Sequence, residues 1–147
     1  MRGAGHRGFT LIELMIAIVV IGAVASIAFP RFRQFGEAMA VRNARNALAN
    51  LATQTRARAL TRGAPARLRV TQDSAWIELR TGAVWQAVGV SEEIVQRGGL
   101  TYAGPATLTF LPTGTAIIPG GDDDVELAVS HGGHSRSVVV TRYGRVE

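Results

Sequence analysis

The pattern of apolar residues divides the chain into three parts. Residues 9–29 form an almost unbroken apolar run whose only charged residue is Glu13. Residues 37–60 instead repeat apolar positions every three or four residues, which predicts an amphipathic helix. Residues 66–147 alternate apolar and polar positions over short stretches between glycines and prolines, which predicts strands and turns.

The apolar run is long enough to cross a membrane. A helix over residues 9–29 is roughly 31 Å long, which matches the hydrocarbon core of a bilayer. The eight residues before it carry Arg2, His6 and Arg7 and no acid. Cationic flanks stay on the cytoplasmic side, so we expect a single span with a cytoplasmic N-terminus and an external head.

The helix is expected to continue from Phe9 to about Arg62. Pro30 cannot donate a hydrogen bond to the carbonyl of Ser26, so a helix bend is expected at Pro30. A glycine and then a proline follow Arg62 and form a stop signal. The predicted apolar stripe of the second half consists of Val41, Ala44, Leu48, Leu51, Thr55 and Ala59.

The rest of the chain predicts short antiparallel strands, with residues 92–96 ambiguous. The most convincing hairpin is joined through residues 131–134, His-Gly-Gly-His. A helix followed by such strands predicts an α+β fold, in which the helix crosses one face of a small sheet. The candidate strands are residues 66–71, 75–81, 84–88, 100–102, 108–110, 116–118, 125–130 and 137–142.

Composition limits the partners and the compartment. The chain has no cysteine, so no disulfide framework is available. All 16 basic residues are arginine, and the net charge of +5 suits lipid headgroups, acidic protein faces or nucleic acid without choosing among them. Trp76 and Trp85 lie in alternating apolar contexts, which favours core packing over base stacking.

Few residues suggest reaction chemistry or metal binding. The three aspartates 122–124 could seed a Ca²⁺ site, but they fit a solvated acidic turn better because consecutive aspartates cannot all point inward on one strand. His131 and His134 are two potential metal ligands without a third, so we interpret them as parts of a hairpin turn. Ser135 has no orienting acid or oxyanion element near it in the sequence. The sequence therefore predicts no enzyme, no metal and no cofactor.

Residues 7–14, RGFTLIEL, resemble the class III signal of type IV pilins and pseudopilins. The resemblance implies that a prepilin peptidase cuts between Gly8 and Phe9 and methylates the new N-terminus at Phe9. It further implies that Glu13 is the assembly glutamate and that Pro30 is the helix-bending proline. The new amino group would lie one helical turn from Glu13, where its positive charge offsets the cost of a carboxylate in an apolar helix.

Two further stretches are similar to the H-type minor pseudopilin and FimT family, namely residues 48–70 and 140–146. This similarity implies a minor pseudopilin of a type II secretion pseudopilus, at or near the filament tip. The alternative is a FimT-like accessory protein in type IV pilus assembly or DNA uptake. The implied partners are prepilin peptidase, other pilins or pseudopilins and the inner-membrane assembly platform.

The same resemblance implies a bacterial inner-membrane protein whose head is periplasmic and which later enters a filament. It divides the chain into a leader, a membrane and filament-core helix, an amphipathic helix and a β-rich head. These parts are residues 1–8, 9–29, 30–62 and 63–147. A secretory signal peptide cut near residues 23–25 and a plain membrane anchor are the competing interpretations, and both leave Glu13 unexplained.

Nucleic acid is the remaining candidate partner. Some FimT proteins bind DNA through arginines in a C-terminal G-R-x-R tail, and the matching tail here ends in Glu147, an acid that repels phosphate. Arg136, Arg142 and Arg145 could still form a DNA-contacting patch. The alternative is that these strand-face arginines meet water or a neighbouring subunit.

Overall fold

This computed structural model describes residues 9–93 and 99–147. The predicted leader, with Gly8 of the cleavage site, lies outside the described residues, and so does most of the ambiguous segment 92–96. By its contacts the chain divides into two units, Met1–Gly36 and Glu37–Glu147.

Helix α1 runs from Leu11 to Arg62, as predicted. Thr10 caps its start: the Glu13 amide donates to Thr10 Oγ1 (3.2 Å), while the Thr10 amide donates to Glu13 Oε2 (2.9 Å). This reciprocal arrangement is a capping box, which satisfies amides that the first helical turn leaves unpaired. Gly63 follows the last turn with φ +60°, the left-handed conformation that ends many helices.

The first unit presents an apolar surface on every side of the helix. No side chain of residues 9–36 is buried in the described structure, and its large apolar side chains are 55–87% exposed. By length and composition this is the one described helix that could cross a membrane. Such a surface is stable only in lipid or against other apolar surfaces.

The second unit begins with the amphipathic half of α1. All six predicted stripe residues are buried, and Ala52 joins them. Thr55 is fully buried, and its hydroxyl donates to the Leu51 carbonyl at 2.6 Å, so burial leaves no unsatisfied donor.

The strands form two antiparallel sheets, so the α+β class is confirmed and the head contains two small sheets. The strands are β1 Ala66–Val70, β2 Ser74–Thr81, β3 Val84–Ala87, β4 Glu92–Glu93, β5 Thr101–Ala103, β6 Thr107–Phe110, β7 Ala116–Ile117, β8 Asp124–His131 and β9 His134–Thr141. The first sheet has the order β3-β2-β1-β6-β7, with β4 also paired to β2, and the second has the order β5-β8-β9.

Side chains from both sheets and the helix stripe form one hydrophobic core. Strand β1 shows the alternation that a half-buried strand requires, with Leu68 and Val70 inward. The predicted hairpin is confirmed as β8–β9. Its loop is shorter than expected, because only Gly132 and Gly133 lie outside the strands, both with positive φ, as tight two-residue hairpin turns demand.

Candidate functional site

The start of α1 brings Glu13 into contact with Thr10, the residue that follows Phe9. Besides the amide bond, the Thr10 hydroxyl donates to Glu13 Oε2 at 3.0 Å. The other carboxylate oxygen, Oε1, accepts no hydrogen bond from the described residues. Glu13 therefore closes its own helix end with one oxygen and leaves the other available.

Sequence reasoning missed this local role of Glu13. The signal was present, because a threonine followed three residues later by a glutamate, just before an apolar run, is the capping-box pattern. A carboxylate at the centre of a membrane helix costs about 2.5–3.5 kcal/mol of free energy. The hydrogen bonds from Thr10 offset part of this cost for Glu13. Its role in assembly, the peptidase cut at Phe9 and the bend at Pro30 stay predictions.

Three helix arginines attach α1 to one strand and two loops of the head. Arg45 Nε donates to the Ser137 carbonyl at 3.2 Å, and Arg56 Nε donates to the Gly114 carbonyl at 3.0 Å. Arg58 Nη1 donates to the carbonyl of Val88 at 2.6 Å. Arg56 and Arg58 thus bind loop carbonyls that the strands leave unpaired.

The glycine of the C-terminal tail has a packing role. Gly144 has φ +76°, and an added Cβ would collide with the carbonyl oxygen of Gly114 and approach Arg56 Nε at 2.7 Å. Beyond it the chain pairs with β9, since the amide and carbonyl of Glu147 bond to those of Val139 at 2.9 and 3.1 Å. The tail is thus built into the edge of the second sheet.

The structure gives acid partners to two of the three arginines proposed for DNA contact. Arg142 pairs with Asp123 at 3.1 Å, and Arg145 pairs with Glu147 at 2.8 Å. Arg136 precedes Arg142 by six residues, about 20 Å along a strand. The three side chains are not brought together as one patch, and DNA contact stays a prediction.

The predicted acidic turn at residues 122–124 lies beside the same arginine. Arg142 Nη2 also donates to the carbonyls of Gly121 (2.9 Å) and Asp122 (3.0 Å). Asp124 begins β8, so the three aspartates belong to a turn and a strand start.

The prediction that Trp76 and Trp85 pack in the core is wrong. Trp76 lies on the outer face of the first sheet, because its neighbours Ala75 and Ile77 take the inward positions of β2. Trp85 of β3 lies opposite Arg80, which shares the outer face of β2 with Trp76. The Arg67 guanidinium lies 4.3 Å from the centre of the Trp85 ring, and Arg69 lies 5.9 Å from Trp76. Cation–π contacts thus replace core contacts for both rings.

Glu78 is at the centre of this outer layer. It accepts hydrogen bonds from Arg67 Nε and from Trp76 Nε1, the latter at 2.9 Å. Burial raises the pKa of Glu78, but hydrogen bonds from Trp76 and Arg67 and the charges of Arg67 and Arg69 outweigh burial and hold the pKa below its ordinary value. Register explains the cluster, since Arg67 faces Glu78 and Arg69 faces Trp76 across β1–β2.

Comparison with known families identifies the head. Residues 44–144, well over half of the chain, match the family described as type II transport protein GspH. The chain belongs to the GspH family. Residues 4–29 of this GspH-family chain match the prokaryotic N-terminal methylation motif, as the resemblance of residues 7–14 implied.

Solved structures show the same fold at low sequence identity. The type IV minor pilin FimU of Pseudomonas aeruginosa is 17% identical and has a TM-score of 0.63 over 77% of this chain and 90% of that one. The minor pseudopilin EpsH from the type 2 secretion system of Vibrio cholerae is 14% identical, with a TM-score of 0.59 over 73% and 94%. The pilin-like α+β architecture is therefore confirmed.

A short stretch of this chain is also similar in sequence to a major pilin. The type IV major pilin protein PilA of Myxococcus xanthus is 60% identical over 30 residues, which is 20% of this chain and 14% of that protein. Together these findings confirm a type IV pilin-like minor pseudopilin. Its motif implies processing by a peptidase and assembly with other pilins or pseudopilins, and its apolar helix is consistent with a single-pass anchor.

We predict that Glu78→Gln destabilises the head in a pH-dependent way. A carboxylate whose folded pKa is depressed stabilises the protein above its unfolded pKa, about 4.3, and loses that contribution as the pH falls through the folded value. Urea unfolding of the full chain in detergent should show a loss of about 1–2 kcal/mol at pH 7 and a smaller loss at an acidic pH below the unfolded pKa. Glu126→Gln, on an exposed part of β8, is the matched control and should change stability by less than about 0.5 kcal/mol. A Glu78→Gln deficit that is the same at both pH values would contradict the assignment.

Proposed function

We propose that this chain is a minor pseudopilin of a type II secretion pseudopilus, assembled at or near the filament tip. A prepilin peptidase cleaves it between Gly8 and Phe9 and methylates Phe9. The observation that carries the proposal is a GspH-family head joined to an apolar helix whose single charged residue, Glu13, lies in its first turn. The likeness to EpsH supports the fold of such a subunit, and the methylation motif supports its processing.

The proposed work of the chain is mechanical. Before assembly the apolar half of α1 lies in the bacterial inner membrane, with its N-terminus cytoplasmic and the head periplasmic. In the filament the same surface packs against the helices of other subunits. Both surroundings are apolar, so extraction by the assembly platform need not expose residues 9–29 to water.

Glu13 supplies the register of this packing. Its Oε2 is held by Thr10, while its Oε1 is available to a neighbouring subunit. A methylated amine at Phe9 of the neighbour is a suitable cation, because opposite charges attract strongly where water is excluded. A subunit placed one helical turn too high or too low would leave both charges unpaired in an apolar bundle, which is costly.

Cleavage can be tested directly. We expect mass spectrometry of the protein from cells with prepilin peptidase to give an N-terminus at Phe9 that carries one added methyl group. In cells without the peptidase the same peptide should begin at Met1. An intact Met1 in the presence of the peptidase, or a cut near Ala25, would contradict the proposal.

A second candidate function is a type IV pilus accessory role that includes DNA uptake. It is favoured by the net charge of +5 and by the 60% identity over 30 residues to the type IV major pilin protein PilA. The C-terminal arginines are its proposed contacts, and Glu147 competes with phosphate for Arg145. The Arg136, Arg142 and Arg145 side chains would then act from separate points of the second sheet.

A gel shift with the full chain in detergent separates the two functions. If the tail contacts DNA, Arg145→Ala should weaken binding, and Glu147→Gln should strengthen it because it frees Arg145 from its partner. Arg80→Ala removes an equal charge from the first sheet and should change binding little. Binding that is absent, or that responds equally to Arg80→Ala and Arg145→Ala, rules out the tail as a DNA contact.

A further inference from the structure

The two histidines of the β8–β9 hairpin lie directly opposite each other. His131 ends β8 and His134 begins β9, and the register pairs them across the turn of Gly132 and Gly133. Directly opposed residues of an antiparallel pair point to the same face, with Cα atoms about 4.5–5.5 Å apart. The sequence spacing alone did not show this pairing.

Both imidazoles line one open cleft at the tip of the hairpin. The cleft has a volume of about 320 Å³, and its other side chains include the hydroxyls of Thr101, Ser130 and Ser135. Within residues 9–93 and 99–147, neither imidazole takes part in a hydrogen bond. The ring nitrogens are therefore not committed to a partner in the described structure.

A carboxylate approaches the same turn from the helix. Glu37 lies four residues before Val41 and so continues the helix stripe that faces the sheets. An added Cβ on Gly132 would collide with Glu37 Oε2, so the carboxylate lies against the backbone between the two histidines. On the other side His131 packs on Gly99, where an added Cβ would come within 2.6 Å of its Cε1. The tip of the β8–β9 hairpin is therefore contacted by the negative charge of Glu37 and by the backbone at Gly99.

We propose that His131 and His134 form a two-histidine site for a divalent transition-metal ion, with Glu37 supplying negative charge beside it. Neutral imidazoles are good ligands for Zn²⁺, Ni²⁺ and Cu²⁺, and Cu²⁺ binds most tightly of these. No group of three or more histidine, cysteine or acidic side chains in the described residues is arranged to hold a metal. The ion therefore has two protein ligands, water fills its remaining positions, and its binding joins the ends of β8 and β9.

The composition of the chain leaves few other side chains that bind Cu²⁺ well. The chain has no cysteine, and its third histidine is His6, in the predicted leader. Untagged full-length chain in detergent, stripped with EDTA, is titrated with Cu²⁺ alone and followed by calorimetry and electron paramagnetic resonance. We expect one Cu²⁺ per chain and a spectrum split by two imidazole nitrogens.

The variants decide the assignment. His134→Gln changes an exposed side chain, should leave one coordinated nitrogen, and should weaken Cu²⁺ binding at least tenfold. His131→Gln should do the same, while the matched control His6→Gln should bind like the original chain. Circular dichroism checks that each variant keeps its fold. Binding weaker than about 100 µM, a spectrum unchanged in the His131→Gln/His134→Gln double variant, or a signal lost with His6→Gln overturns the proposal.

Discussion

The apolar half of α1 is the constraint on which the rest of the structure depends. Its large side chains are exposed around the whole helix, and apolar surface costs about 25 cal/mol per Å² in water. Residues 9–29 therefore require lipid or other apolar surfaces around them. The second half of the same helix needs only one face covered, because its apolar residues form a single stripe. One helix thus combines an anchor with the support of a folded head.

The head is assembled on that stripe by two kinds of contact. Val41 and the buried alanines and leucines of α1 pack on the inward residues of both sheets, and Arg45, Arg56 and Arg58 bind backbone carbonyls around them. Arginine suits this role, since its guanidinium offers several fixed donors while its stem packs on apolar surface. Arginines also cover apolar surface on the outer face of the first sheet, where Arg67 packs on Trp85 and Arg69 on Trp76.

The elements that depend on local sequence were predictable, and those that depend on pairing between distant strands were not. The helix end at Arg62, the buried stripe and the β8–β9 hairpin follow from periodicity, glycine and turn chemistry, all of which act over a few residues. The outward position of Trp76 depends on which face of β2 meets the core, and alternation alone does not decide that. The division into two sheets and the carbonyl partners of Arg56 and Arg58 likewise depend on long-range register. In the candidate assembly site, the position of Glu13 was evident from sequence, whereas the pairing of His131 with His134 required the strand register.

We propose that the charge of Glu13, and not only its capping bond, places the subunit in the filament. Glu13→Gln separates the two roles, because glutamine still accepts the bond from Thr10 but carries no charge. The measurement is the amount of each variant in sheared filaments relative to the amount in the membrane. We expect Glu13→Gln to be largely lost from filaments, whereas Thr10→Ala, which removes the hydroxyl cap and keeps the carboxylate, is still incorporated. Undiminished incorporation of Glu13→Gln, or equal losses in both variants, would contradict it.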